Sequence, residues 1–171
     1  YPIPLKDALD IIPAQPGAST MYSQTGIAVN GKEADNLCLK AFHLLKKDFP
    51  TLPNVTIHLH KAIPIGAGLG GGSADASVML MMLNQYFSLD ISTEKLMVYA
   101  AELGSDCPFF ILNKPCYVTG RGENLSPIDV DLSSYQIVLV NPRIHISTQT
   151  AFAGIKTRKG TDLVRHIQEP V

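Results

Sequence analysis

Charge is scarce in this chain and balanced in sign: 17% of its 171 residues are charged, with 14 Lys and Arg against 15 Asp and Glu. It therefore lacks the broad positive field that draws proteins to nucleic acid or anionic lipid, and a small, locally recognised partner is expected instead. Cysteine is scarce too. Cys38, Cys107 and Cys116 form an odd set with no CxxC spacing, which argues against a disulfide framework or a zinc site of that pattern. A reducing compartment suits them, so the cytoplasm is the expected location. No apolar run approaches the ~20 residues needed to cross a bilayer, and the opening YPIPLKDALD has no basic stretch leading into an apolar core. Neither a membrane nor a secretory leader is expected. An initiating Met is missing as well, so a piece of a longer chain is expected. Repeats and low-complexity tracts are absent. What remains is globular composition, with 46% hydrophobic residues, and it predicts one domain, or one and a fragment.

The order of elements carries the fold. Residues 8–12 and 21–29 read as strands joined into a hairpin by the turn formers Pro13, Pro16 and Gly17. Asp35 or Asn36 caps a helix whose Leu37, Ala41, Leu44 and Leu45 share a face and which stops before Pro50. Val55, Ile57 and Leu59 then alternate with Thr56, His58 and His60 in a half-buried strand. The two histidines share one face, but no third ligand stands near them, so they read as the solvent side of that strand and not as a metal pair. Ser73 is placed to cap a helix through residue 87 that is apolar nearly all round, its methionines serving as core filler. Ser92 or Thr93 caps the next helix, through 103. GSDCPFFIL makes a tight turn and a short apolar stretch. Strands are expected over 116–119, 125–128 and 136–140, and Ser147 caps a last short helix. This is an α+β layer and not a regular βαβ alternation.

Between the 55–60 strand and the long helix lies PIGAGLGGGSADAS, with glycine at 66, 68, 70, 71 and 72. Glycines allow close backbone approach and positive φ, and a helix N-terminus adds unpaired N–H donors with roughly half a positive charge, so phosphate is the natural guest. A mere turn needs one or two glycines, not five of seven positions. The P-loop pattern fails for want of its Lys, the dinucleotide fingerprint for want of a core strand after the helix, and the protein-kinase loop because a helix and not a strand follows.

Taken in order, ADNLCLKAFHLL, IHLHKAIPIGAGLGGGSADAS, LGSDCPFFI and GRGENLSPI resemble the GHMP kinases. These are small-molecule kinases whose glycine-rich loop wraps the phosphates of ATP. Within the family the likeness is greatest to the branch that acts on a cytidine diphosphate derivative of a methylerythritol. The resemblance implies an α+β two-layer amino-terminal domain, of a kind also found in a ribosomal module, over residues 1–155. Its antiparallel or mixed sheet lies under the helices 73–87 and 93–103. It also implies that this domain lacks its first strand, that 156–171 are a linker or the start of a truncated carboxy-terminal domain, and that the second, ferredoxin-like domain is absent.

The same resemblance implies the chemistry. ATP with Mg2+ phosphorylates the 2-hydroxyl of 4-diphosphocytidyl-2-C-methyl-D-erythritol in non-mevalonate isoprenoid biosynthesis. Asp106, at a turn beside apolar residues, is the catalytic carboxylate, although it could simply cap the helix that follows. Gly66, Ala67, Gly68, Leu69, Gly70, Gly71, Gly72 and Ser73 hold the phosphates. Asn36 and Lys61 lie on the adenine side; left to themselves they read as a helix cap and a solvated charge at a strand end. Phe152 stacks on the cytosine. No side chain is assigned to a metal. A KINL-like segment with its Lys and a DGYH-like substrate segment do not occur in the sequence, so residues 1–171 alone are expected to bind nucleotide weakly and to transfer no phosphoryl group. Two rivals stand: another GHMP kinase, of the mevalonate or homoserine type, against which GSDCPFF and GRGENLSPI speak, and an RNA-binding ribosomal-type module, against which the near-zero charge speaks.

Overall fold

A computed structural model describes residues 1–29, 31–120, 122–141, 150, 153 and 154. Its centre is strand β3 (Val55–Lys61), whose Val55, Ile57 and Leu59 are buried while Thr56, His58 and His60 point to the other face. Strand β1 (Ala8–Pro13) pairs antiparallel on one edge of β3 and β2 (Met21–Gly26) pairs parallel on the other. The hairpin expected between the first two strands is thus not formed, because β3 lies between them. The physical reason is burial. β1 has one buried residue, Ile11, and β2 has none, whereas β3 carries three apolar side chains that are best covered in the middle of the sheet. β2 also ends earlier than expected, at Gly26, where φ is +80° and a Cβ would lie 2.2 Å from the Lys61 carbonyl oxygen.

Helix α1 (Leu37–Asp48) makes the crossover from β2 to β3. Asn36 caps it, its side-chain oxygen accepting from the Cys38 N–H at 2.8 Å, and Cys38, Ala41, Phe42 and Leu45 are buried against the sheet and α2. Helix α2 (Gly71–Tyr86) packs against α1, α3 (Thr93–Leu103) and α4 (Cys107–Leu112), which is why it is apolar on nearly every side. Met79, Leu80 and Leu83 are wholly enclosed there, each contributing roughly 1.5–3 kcal/mol by leaving water. The Ser92 hydroxyl caps α3, accepting from the Lys95 N–H at 3.3 Å. The helices cover one face of the mixed sheet, the expected two-layer α+β arrangement. On the open face Ser23 meets His58 Nδ1 at 2.8 Å and Thr25 meets His60 Nδ1 at 2.9 Å, so the two imidazoles are engaged by neighbouring hydroxyls. Strands β4 (Cys116–Thr119) and β5 (Asn124–Pro127) form a separate antiparallel hairpin.

Two more expectations need correction. α2 begins at Gly71 with Gly70 as its N-cap in the left-handed region, so Ser73 lies inside the first turn and is not the cap. Residues 136–140 pair with no strand among the described residues, and Val138 and Val140 are 78% and 85% exposed. A continuous run of β-branched and aliphatic residues, Ile137 to Val140, marks a segment able to pair, but a ladder also needs an adjacent strand edge. Phe152, the helix expected after Ser147 and the boundary after residue 155 lie outside the described residues.

Candidate functional site

The glycine loop leaves the end of β3 at Pro64 and enters α2 at Gly71. Gly66, Gly68 and Gly70 all have positive φ, alternating with ordinary residues, and such a backbone gathers successive N–H groups around one concavity. The first N–H groups of α2 have no helical acceptor and open onto the same space. Two cavities meet on this loop. One, of about 300 Å³, runs from the loop to Asn36, Leu37 and Lys61. The other, of about 220 Å³, places Asp106, Phe109 and Phe110 opposite Gly68, Leu69 and Gly70. The expected adenine-side pair lines one of these cavities and the expected catalytic carboxylate the other, and Gly68, Leu69 and Gly70 line both.

Asp106 is exposed at the start of α4 and makes no side-chain capping bond, so the simple cap reading fails. Its place is set by its neighbours. The buried Ser77 hydroxyl on α2 shares its one proton between the Cys107 carbonyl at 2.7 Å and the Ser73 carbonyl at 2.8 Å, and the first of these contacts ties the turn to the loop's helix. Gly122 packs on the carboxylate, a Cβ there falling 3.3 Å from Asp106 Oδ1. Burial pushes the Cys107 thiol up, against opposing hydrogen bonds from Ser73 and Ser77, so it is no thiolate.

Lys61 is not a solvated charge: it is 4% exposed, and its ammonium donates to Asp7 Oδ2 and, at 2.9 Å, to Asp75 Oδ2. Asp7 Oδ1 accepts from the backbone N–H groups of Ala62 and Ile63 at 2.6 and 2.8 Å. Burial pushes Asp7 up, but the Lys61 and backbone hydrogen bonds outweigh it and hold the carboxyl below its ordinary value. For Asp75 burial wins over Lys61 and its pKa is pushed up to about 6. A raised native pKa means that between the ordinary value of 3.8 and about 6 the folded chain holds a proton that the unfolded chain releases. Stability from this group therefore rises as pH falls through 6. Asp75→Asn is expected to abolish that rise, so its Tm relative to the unsubstituted chain falls between pH 7 and pH 5 in a thermal melt series. A constant difference would mean that Asp75 does not titrate there.

Sequence reasoning passed over Asp7, Asp75, Ser77 and Gly122. A carboxylate on an otherwise apolar helix was a legible signal for Asp75. None marked Asp7, whose partner is 54 residues away.

Residues 36–114 match the family described as GHMP kinases N terminal domain. The chain is 50% identical over 157 residues to a 4-diphosphocytidyl-2-C-methyl-D-erythritol kinase from Bacteroides fragilis, covering 91% of this chain and 57% of that one. It is 51% identical over 154 residues to the kinase of the same name from Azobacteroides pseudotrichonymphae, covering 90% and 56%. It thus spans a little over half the length of these curated relatives. A crystal structure of 4-(cytidine 5'-diphospho)-2C-methyl-D-erythritol kinase superposes with a TM-score of 0.60 at 33% identity, over 73% of this chain and 42% of that one. A homoserine kinase from Cytophaga hutchinsonii shares the fold at a TM-score of 0.62 and 15% identity, over 90% and 52%. The loop, its helix and the Asp106 turn all lie inside the span, residues 36–114, that matches the GHMP kinase N-terminal domain.

Proposed function

We propose that this domain serves an ATP-dependent kinase that phosphorylates the 2-hydroxyl of 4-diphosphocytidyl-2-C-methyl-D-erythritol, a step of non-mevalonate isoprenoid biosynthesis. The observation that carries the reading is the opposition of Asp106 to Gly68–Gly70 across one cavity, with the Asn36 side of the loop opening into another. The nucleotide lies on the Asn36 and Lys61 side, and its phosphates sit on the N–H groups of residues 66–73. The acceptor hydroxyl enters from the Asp106 side. Asp106 takes the hydroxyl proton while the loop donors hold the phosphoryl oxygens, so chemistry here is mostly positioning and charge stabilisation. The choice of acceptor rests on the relatives near 50% identity that carry that name. Phe152 is assigned to the cytosine.

No described cluster of three or more His, Cys, Asp or Glu side chains could hold a metal by itself. Mg2+, which is held largely by phosphate oxygens and waters, fits beside a phosphate loop, and the Ser73 hydroxyl, which lines the loop cavity, would be the protein group that holds it. When bound, Mg2+ neutralises charge on the phosphates. No helix is long and apolar enough to cross a membrane among the described residues, and the three described cysteines are unpaired, in keeping with a cytoplasmic setting.

Calorimetry with ATP tests the nucleotide half of the reading. Weak binding to residues 1–171 is expected, with phosphoryl transfer to the cytidyl substrate appearing only in a chain of the relatives' length. Transfer by residues 1–171 alone would overturn the expectation that further segments are needed, and absence of nucleotide binding in both chains would overturn the reading.

A further inference from the structure

The proposed chemistry gives no part to Asp7, which lies in the buried charge cluster under the loop. We propose that Asp7, acting through Lys61 and two backbone N–H groups, is a positioning residue that holds both ends of the glycine loop in its phosphate-accepting shape. This rests on the reading of residues 66–73 as the phosphate site. At the loop's entry, Asp7 Oδ1 accepts from Ala62 and Ile63, the last residues before Pro64. Asp7 Oδ2 meets the Lys61 ammonium, and that ammonium donates to Asp75 in the second turn of α2, beyond the loop's exit. The first turn of α2 rests on this arrangement: a Cβ on Gly71 would lie 3.2 Å from Lys61 Nζ and 2.9 Å from Ile63 Cγ2. One carboxylate thus links the strand end, the helix start and the cation between them.

The crest of the loop cannot hold itself. Residues 65–68 are exposed, and glycines have more backbone freedom to lose than any other residue. Shape has to be imposed from the ends. Both side chains of the Asp7–Lys61 pair are 4% exposed, and charge-assisted bonds out of water are strong and directional. As sources of net stability such pairs are poor compared with apolar packing. Fixing the loop before the ligand arrives lowers the ordering cost of binding, and that is what this pair is placed to do.

Asp7→Asn separates the two jobs, because its single amide oxygen can accept from the backbone or from Lys61 but cannot serve both. With a fluorescent ADP analogue as probe, the variant chain is expected to bind about tenfold more weakly or worse, and amide hydrogen exchange over residues 64–72 is expected to speed up with or without nucleotide. Tyr99→Phe is the control. It removes the 2.6 Å bond to Asp48 between α3 and α1, and it should leave affinity and loop exchange unchanged whatever it does to Tm. Asp7→Glu keeps the charge but displaces the carboxylate from Ala62 and Ile63, and it should give a smaller loss of about threefold even if the Asn variant fails to fold. The proposal is overturned if the Asp7 variants lower Tm while loop exchange and affinity match the Tyr99→Phe chain. If no chain binds ADP but Asp7 substitution still loosens 64–72, the phosphate-site reading fails and the loop-holding role stands.

Discussion

Asp106→Asn is expected to leave nucleotide binding intact and to lower kcat by about 100-fold or more in a chain of the relatives' length, the scale on which a general base contributes. The amide preserves the shape of the side chain but cannot take the hydroxyl proton. Its surroundings should not change, because the turn is held from outside the carboxylate, by the Ser77 bond to the Cys107 carbonyl, and the amide has the same shape against Gly122. Nor does the carboxylate cap α4, so the substitution removes no helix bond. Steady-state kinetics with ATP and the cytidyl substrate separate the outcomes. A near-normal kcat with a raised KM would make Asp106 a substrate-binding group, and a loss in both kcat and nucleotide affinity would mean that the substitution had disturbed the loop.

Gly70→Val is expected to be as damaging, at the binding step. Gly70 has a φ of +67°, where a side chain costs roughly 1–2 kcal/mol and a β-branched one more. The space is also taken, since a Cβ there would lie 2.7 and 2.9 Å from two ring atoms of Phe110. The strain can be relieved in two ways. The backbone can leave the left-handed region, which moves the N–H groups of Gly71 and Gly72 out of the concavity, or the Phe110 ring can swing aside, which reshapes the wall of the cavity that Asp106 shares with the loop. Either route damages the site. Calorimetry is expected to show ADP binding at least tenfold weaker than in the unsubstituted chain, and unchanged affinity would exclude the loop as the phosphate site.

The parts of this protein that are legible in its sequence are those held by near neighbours along the chain. Asn36 as a helix cap, the alternation of Val55, Ile57 and Leu59, Ser92 capping α3, and a glycine loop running into a helix are all readable, because caps and periodicities act over two to four residues. Ser73 shows the limit even at that range. Its residue type suits an N-cap, but three glycines before it let the helix begin earlier.

The family and the glycine-rich motif were determined by the sequence itself, through residues that follow one another in order. Tertiary structure alone decided that β3 separates β1 from β2, that Asp106 faces Gly68–Gly70, and that Asp7 reaches Lys61 under the loop. Each of these joins segments distant in the chain, where the closure of long loops has to be offset by burial of β3 and α2 in one shared core. That balance belongs to the whole core and to no local pattern, so an aspartate in the ordinary segment PLKDAL could acquire its place only when the chain had folded.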